Sequence, residues 1–514
     1  MSDNTGPRGR LVASHMEHVR AKLFISTALL ITLSTGVPGA AAEELHSRKR
    51  TAHRWAVTEA GRQCVRIEEC ESERHLAPFL SLEELLPYGE LHGNTHMFGA
   101  ANKPRGCDGR VLKVVAMRFA APDLCLPNGM TFDAARSVMS DNFGNMVWMY
   151  GARHLLSRED TVVVEALHHS HFQRGFVDAL LLSEANLLRD TKLYKSERGS
   201  MLRDTSLVEK LDVGTMLAGI GVQSLLSSAE QRPDIGQKPT AQIAASSIAL
   251  HDEQHAFLDA LEKRAPHGYS VRGNFTAAVA NTHGRRKAVA LGCPSFMLNP
   301  DPCLGASLAR QYRALASTPA DKATELRIAV LLPHPVAPKM LQLLVGICRK
   351  FPKAFVVLQT PQDYGSLRAA RINHNMPIEH NQVRYFYDIQ AWRRELRAVD
   401  FVFGSRIHGT LMGIYAGRPT LTIANDERIL EMVEQMMLPH DTIYDMPVPQ
   451  RPGDFDLVKH VADVTAKFDG EKFDRNRARI ARSYVLMFDG LGVNVSAAVR
   501  GIAASESTKC SYGT

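Results

Sequence analysis

The stretch VDFVFGSRIHGTLMGIYAGRPTLTIAN, residues 399–425, decides how the chain is read. It opens on a short apolar β-run that reaches Gly404-Ser405. Leu411, Met412, Ile414 and Tyr415 then carry a helix, Gly417 ends it and Pro419 blocks its continuation. The next strand, TLTIA, follows at once. Strand, helix and strand in so little chain predict a βα unit of a parallel sheet. Arg406 and His408 fall in the first helical turn, just beyond the carboxyl end of a strand, where open α/β sheets bind ligands. Unpaired N–H groups and the helix dipole favour an anion there. The planar fork of Arg406 suits two oxygens of a carboxylate or phosphate. His408, two residues on, can share that ligand and move a proton near neutral pH.

Working outward, the same texture recurs. Strands are predicted at VLKVVAM (111–117), TVVVEAL (161–167), VDALLLS (177–183), TMLAGIG (215–221) and AVALG (288–292), with helical stretches such as MVWMYGARHLL (146–156) between them. The polar segment STPADKATEL (317–326) separates this block from a second. There IAVLLP (328–333), AFVVLQT (354–360), VRYFYD (383–388), VDFVFGS (399–405) and TLTIAN (420–425) alternate with helices. The expected fold is α/β, with two Rossmann-like domains facing a cleft and an N-terminal extension. The expected divisions are a signal peptide or membrane anchor over 1–42, an accessory segment or linker over 43–130, a first half over 131–316 and a second over 327–503. A helical stretch from Lys472 to about Ala503 is expected to pack back across both halves.

The chain has 514 residues, enough for about three domains at ~150 residues each. Its 45% hydrophobic and 22% charged content excludes wholesale disorder. The net charge of +7 is uneven: residues 1–54 carry eight Lys/Arg against four Asp/Glu, leaving the rest nearly neutral. A nucleic-acid partner is therefore not expected. Residues 23–37, LFISTALLITLSTGV, follow Arg20 and Lys22 and precede Pro38-Gly39 and an Ala-rich site. This is the pattern of a signal peptide, and the run is short of the ~20 residues a membrane span needs. The expectation is entry into the secretory pathway (Golgi lumen, secreted or periplasmic), with residues 23–37 able to associate with a membrane. The alternative is a cytoplasmic enzyme. None of the eight Cys forms a C-x-x-C pair, so structural zinc is not expected. In an oxidising compartment Cys64–Cys70 and Cys107–Cys125 could be bridges, though spacing does not settle connectivity.

The joint pattern G-S-R-I-H-G-T-L, followed by A-G-R-P-T and an acidic loop, resembles the C-terminal signature of the polysaccharide pyruvyl transferase family. SVRGNFTAAVA (270–280), GIGVQS (219–224), LGCPSF (291–296) and DNFGNMVWMYGA (141–152) are similar to other segments of that family, so the resemblance covers about residues 130–440. It implies a glycosyltransferase-B-like architecture, with an acceptor side in the first half and a donor side in the second. The implied activity is transfer of the enolpyruvyl group of phosphoenolpyruvate to two sugar hydroxyls, giving a pyruvate ketal and phosphate. It implies Arg272, Ser405, Arg406 and Arg428 as phosphoenolpyruvate ligands and His408 as the acid/base. Asn142, Asn145 and Asn425 are candidate acceptor ligands. No metal or cofactor beyond the donor substrate is expected. Two departures stand out. Arg428 occupies the place of a Lys common in the family, and Ser183 and Glu184 of LSEANLL stand where small residues are usual.

HDEQH (251–255) lacks the H-E-x-x-H order of a zinc site, and His168, His169 and His171 read as a loop tip. GIG at 219–221 does not complete a dinucleotide fingerprint, since position 224 is Ser. Two other functions fit the same fold: a nucleotide-sugar glycosyltransferase of the B type and a non-catalytic glycan-binding protein.

Overall fold

The computed structural model describes residues 103–118, 142–192, 198–223, 244–332, 338–374, 382–446, 455–505 and 510–512, apart from a few positions inside those spans, and short pieces between 55 and 99. The expected leader lies outside the described residues. Among the described residues no helix is long and apolar enough to cross a membrane.

Two parallel sheets carry the molecule. The strands of the first are β1 (Phe79–Leu80), β2 (Lys113–Arg118), β3 (Thr161–Glu165), β4 (Ala179–Ser183), β5 (Gly214–Ile220), β6 (Tyr269–Val271) and β7 (Ala288–Ala290). They lie in the order β7-β6-β5-β4-β2-β3-β1. The second contains β8 (Ile328–Leu331), β9 (Phe355–Leu358), β10 (Val383–Tyr385), β11 (Phe401–Gly404), β12 (Thr420–Ala424) and β13 (His440–Thr442), ordered β10-β9-β8-β11-β12-β13. The strand order reverses beside β2 in the first sheet, where β3 and β4 leave on opposite sides of it, and beside β8 in the second. In such folds the crevice at the reversal, at the carboxyl ends of the strands, is where ligands sit. β8 and β11 run in step, Ile328 opposite Phe401 and Leu331 opposite Gly404, so the segments leaving them emerge side by side.

Six helices bear on the site: α1 (Asn145–His154), α2 (Asn274–Thr282), α3 (Leu304–Ala316), α4 (Ile407–Tyr415), α5 (Glu427–Gln435) and α6 (Gly470–Asp489). The fold is the expected pair of α/β halves, with two corrections. The first half begins well before residue 131, because β2 lies inside its sheet and β1 forms one edge. Helix α1 also does not belong to the first half alone. Trp148, Ala152 and Leu155 pack with the β2 residues Val115 and Met117. Phe143, Met146 and Tyr150 pack with Ala329 and Leu331 of β8 and with Met412 of α4. A helix with buried residues on more than one face is used on both sides.

The C-terminal helices pack back across both halves as expected. Buried Arg477 of α6 donates to the carbonyls of Asn299 and Asp301 at 2.5 and 2.7 Å. Leu156 pairs with Val495 in a β-bridge. The disulfide is unexpected: Cys303, at the start of α3, is bonded to Cys510. The pairings considered for Cys64, Cys70, Cys107 and Cys125 lie outside the described residues.

Candidate active site

The second half supplies one wall. Gly404 ends β11, and the Ser405 N–H donates to the Leu331 carbonyl of the neighbouring strand at 3.2 Å. Arg406 stands at the N-cap of α4, whose first turn has no side-chain cap, so its N–H groups are open to an anion. The guanidinium is held from behind. Nε donates to the Leu332 carbonyl at 3.1 Å, and Nη2 donates to Thr360 Oγ1 at 3.3 Å and pairs with Asp363. Asp363 is fully buried and also accepts the N–H groups of Gln359 and Thr360 at 2.8 and 3.0 Å. One strand over, β12 runs into Asn425 and Asp426. Asp426 caps α5 by accepting the Ile429 N–H at 2.8 Å, and its other oxygen pairs with Arg428.

The first half supplies the opposite wall. Arg272 follows β6, is 3% exposed, and its Nε donates to the Gly219 carbonyl at 2.8 Å. The Gly219-Ile220-Gly221 loop is shaped around it, since a Cβ on Gly221 would lie 2.6 Å from Arg272 Cδ. That packing requirement explains a sequence which looked like the start of a phosphate-binding loop.

His408 lies where the walls meet. Burial first, and then the charges of Arg272, Arg428 and Arg406, hold its pKa well below the ordinary histidine value. It is therefore a neutral imidazole in the ligand-free protein. A neutral imidazole can accept a proton but has none to give from a cationic form. Arg272 is itself pushed down to about 10, by burial and then by Arg428. Around these groups several buried polar atoms have no hydrogen-bond partner among the described residues: Ser405 Oγ, His408 Nε2, Asn425 Oδ1, Arg428 Nε and Gln359 Nε2. Nearly all buried polar groups in proteins are satisfied. Here a group of unsatisfied ones lies at the ends of parallel strands among three guanidiniums, an arrangement with the chemistry to bind a small polyanion.

Residues 235–427 match the model of the polysaccharide pyruvyl transferase family. The match contains Arg272, Arg406 and His408 and stops one residue short of Arg428. It is shorter than the resemblance read from the sequence, and the segments at 141–152 and 219–224 lie before it. No curated protein sequence matches the chain. Among solved structures, Anabaena HepE in complex with UDP and glucose is similar at 10% identity, covering 72% of this chain and 100% of that one, with a TM-score of 0.33. A co-structure of S. aureus MnaA with UDP is similar at 10% identity over 71% of this chain and 90% of that one, TM-score 0.34. The wall teichoic acid polymerase TagF gives 10%, 74%, 89% and 0.33 in the same order. The pyruvyl transferase match, over less than half of the chain, supports a transferase that modifies glycans.

Against that family pattern, the structure brings Arg272, Ser405, Arg406, His408 and Arg428 together. Asn425 joins them on the wall supplied by the second half, at the end of β12. Asn142 and Asn145 are partly spent on local structure, accepting the Gly144 N–H at 2.9 Å and the Trp148 indole N–H at 3.2 Å. Their loop closes on the second half, where the Phe143 N–H donates to the Gln359 carbonyl at 2.9 Å. Sequence reading missed Gln359, Asp363 and Glu431. Asp363 had a signal, since Thr360-Pro361-Gln362-Asp363 is a capping-box spacing ahead of a helix. Ser183, at the departure from the family pattern, donates to the Arg118 carbonyl at 2.9 Å, tying β4 to β2 at the other order reversal. His251 of HDEQH forms a capping box with Gln254, and His255 stacks edge-on with His283. Among the described residues no group of three or more His, Cys, Asp or Glu is placed to hold a metal ion.

Proposed function

We propose that the chain transfers the pyruvyl group of phosphoenolpyruvate to two hydroxyls of a glycan sugar, forming a pyruvate ketal and releasing phosphate. The observation that carries this reading is the ring of Arg272, Arg406 and Arg428 around a neutral His408, with partnerless buried polar atoms between them. Phosphoenolpyruvate is a small trianion with a carboxylate and a phosphate on the same carbon. Arginines contributed by both halves suit two such groups at once, and held rigidly they fix the enol carbon against an acceptor. The reaction balances as follows. Each hydroxyl oxygen bonds to C2 of the donor and loses its proton. One proton ends on the methylene carbon, which becomes a methyl group, and the other leaves with phosphate as the C2–O bond breaks. His408 takes a hydroxyl proton, and the bound anion stabilises the imidazolium that forms. The guanidinium groups supply the positive charge, and no cofactor beyond the donor enters the scheme.

We further propose that the protein works in an oxidising lumen. The Cys303–Cys510 bridge supports this, since such bonds persist in oxidising compartments, and it accords with the leader-like pattern of residues 1–42. Placement there requires import of phosphoenolpyruvate.

The test is titration calorimetry with phosphoenolpyruvate and, separately, with UDP-sugars. Binding of phosphoenolpyruvate that Arg406→Lys weakens at least tenfold supports the proposal. Binding of UDP-sugars alone would put a glycosyltransferase in its place. Binding of glycan with neither donor would make the chain a glycan-binding protein.

A further inference from the structure

Helix α2 begins two residues after Arg272 and has no cap of its own, because its N-cap position is Gly273. The cap comes from the other half. Glu431, on α5, accepts the Thr276 N–H at 2.9 Å through one carboxylate oxygen and the Thr276 hydroxyl at 2.6 Å through the other. The same hydroxyl accepts the Val222 N–H at 3.1 Å, in the segment that leaves the loop holding Arg272. Position 273 has no room for a side chain: a Cβ there would lie 2.6 Å from Glu431 Cβ and 2.8 Å from its carbonyl and carboxylate oxygens. Glu431 is 3% exposed, a costly place for a carboxylate. Burial pushes its pKa up to about 7 despite both hydrogen bonds and the nearby charge of Arg272, with Glu427 raising it further.

We propose that Glu431 is a positioning residue of the transferase: it caps α2 across the cleft, and through Thr276 and Val222 it fixes Arg272 opposite Arg406 and His408. The inference rests on the phosphoenolpyruvate reading of the site for what Arg272 binds. The geometry makes α5 do two things at once. Its first turn carries Arg428 to the anion, and its next turn reaches over to the half that supplies Arg272. Closing the two halves therefore assembles the cation ring.

The test uses the full chain as wild type, Glu431→Ala, Glu431→Gln and Thr276→Val. Amide hydrogen exchange is followed in peptides covering 219–223 and 272–280, and steady-state kinetics are measured with phosphoenolpyruvate below the melting temperature of every variant. Glu431→Ala is expected to speed exchange in both peptides and to raise KM for phosphoenolpyruvate about tenfold or more, with a smaller change in kcat. Glu431→Gln, which keeps one acceptor, is expected to recover part of both effects. Thr276→Val, which keeps the N–H but loses the hydroxyl, is expected to affect the 219–223 peptide more than the 272–280 peptide. Unchanged exchange in a folded Glu431→Ala protein overturns the proposal, as does a lower melting temperature with KM unaltered. If Glu431→Ala does not fold, Thr276→Val and Glu431→Gln decide by the same criteria. If the wild type does not bind phosphoenolpyruvate, the donor reading fails, while the exchange data still decide whether Glu431 caps α2.

Discussion

Asp363 is fully buried, pairs with Arg406 through one oxygen and accepts two backbone N–H groups through the other. The arginine of the proposed anion site is thus also the counter-charge of a buried carboxylate. Anchoring of this kind fixes the guanidinium before any substrate arrives, which is what a site that stabilises charge by preorganisation requires.

Truncating Arg406 should therefore damage stability as well as binding. Removing one partner of a buried pair costs roughly 3–5 kcal/mol. Arg406→Ala is expected to melt well below wild type, and Arg406→Ala with Asp363→Asn to recover most of that loss, since the amide oxygen can still accept the Gln359 and Thr360 N–H groups. Phosphoenolpyruvate binding should not return with stability. Thermal unfolding and calorimetry on the two variants separate the effects.

His408 is held neutral by burial and three arginines, so an anion that offsets those arginines must raise its pKa. Binding phosphoenolpyruvate at pH 6 is then expected to take up a proton, read as a dependence of the binding enthalpy on the ionisation enthalpy of the buffer. His408→Gln should abolish the uptake attributable to this residue. In turnover, His408→Ala is expected to lower kcat by about 10²- to 10⁴-fold, the range for a lost acid–base group. An unaltered kcat would remove His408 from the chemistry.

Glu431 gives a stability prediction with a definite sign. Burial raises its pKa on folding, from the ordinary glutamate value to about 7. A group shifted upward contributes stability that is fully present below its unfolded pKa and lost as pH rises through the folded one. Wild type should thus lose stability relative to Glu431→Gln between about pH 5 and pH 8, by an amount of order 3 kcal/mol. Denaturant melts of both proteins across that range check it; a constant difference would show that Glu431 does not titrate there.

The Cys303–Cys510 bridge spans 207 residues of sequence. By chain entropy alone, closing so long a loop in the unfolded state is worth up to about 5 kcal/mol. Cys510→Ser is expected to lower the melting temperature, and a reducing agent to lower that of wild type but not of the variant. The C-terminal segment should also loosen, since the Ser511 and Tyr512 carbonyls accept from Arg310 and Arg313 of α3 at 2.9 and 3.0 Å.

What the sequence discloses follows from how local the cause is. Most strands of both sheets are legible because each is a short apolar run buried on both faces. Tyr269–Val271 is not, since three residues with a central serine carry no period, and His440–Thr442 is a polar edge strand. Arg406 and His408 are legible because strand end, cap and helix turn are consecutive in the chain. Arg272 carries no such signal and is reached through the family resemblance. Glu431 meets Thr276 across 155 residues and Cys303 meets Cys510 across 207, and nothing in the spacing of either pair announces the contact. The boundary placed at residue 130 fails although VLKVVAM (111–117) is legible as a strand; only β1, two residues long, comes from a stretch with no clean period of its own.

The central claim is that Arg272, Arg406 and Arg428 present phosphoenolpyruvate to a sugar acceptor beside His408. Its most direct test is to incubate the protein with phosphoenolpyruvate and a panel of galactosides, mannosides and glucosaminides, and to follow free phosphate together with the proton NMR spectrum of the sugar. The account predicts phosphate release that depends on the sugar, matched mole for mole by a new ketal methyl signal, both absent with Arg406→Ala/Asp363→Asn. Phosphate release without a ketal methyl group, or sugar transfer from a nucleotide-sugar with phosphoenolpyruvate ignored, would contradict it.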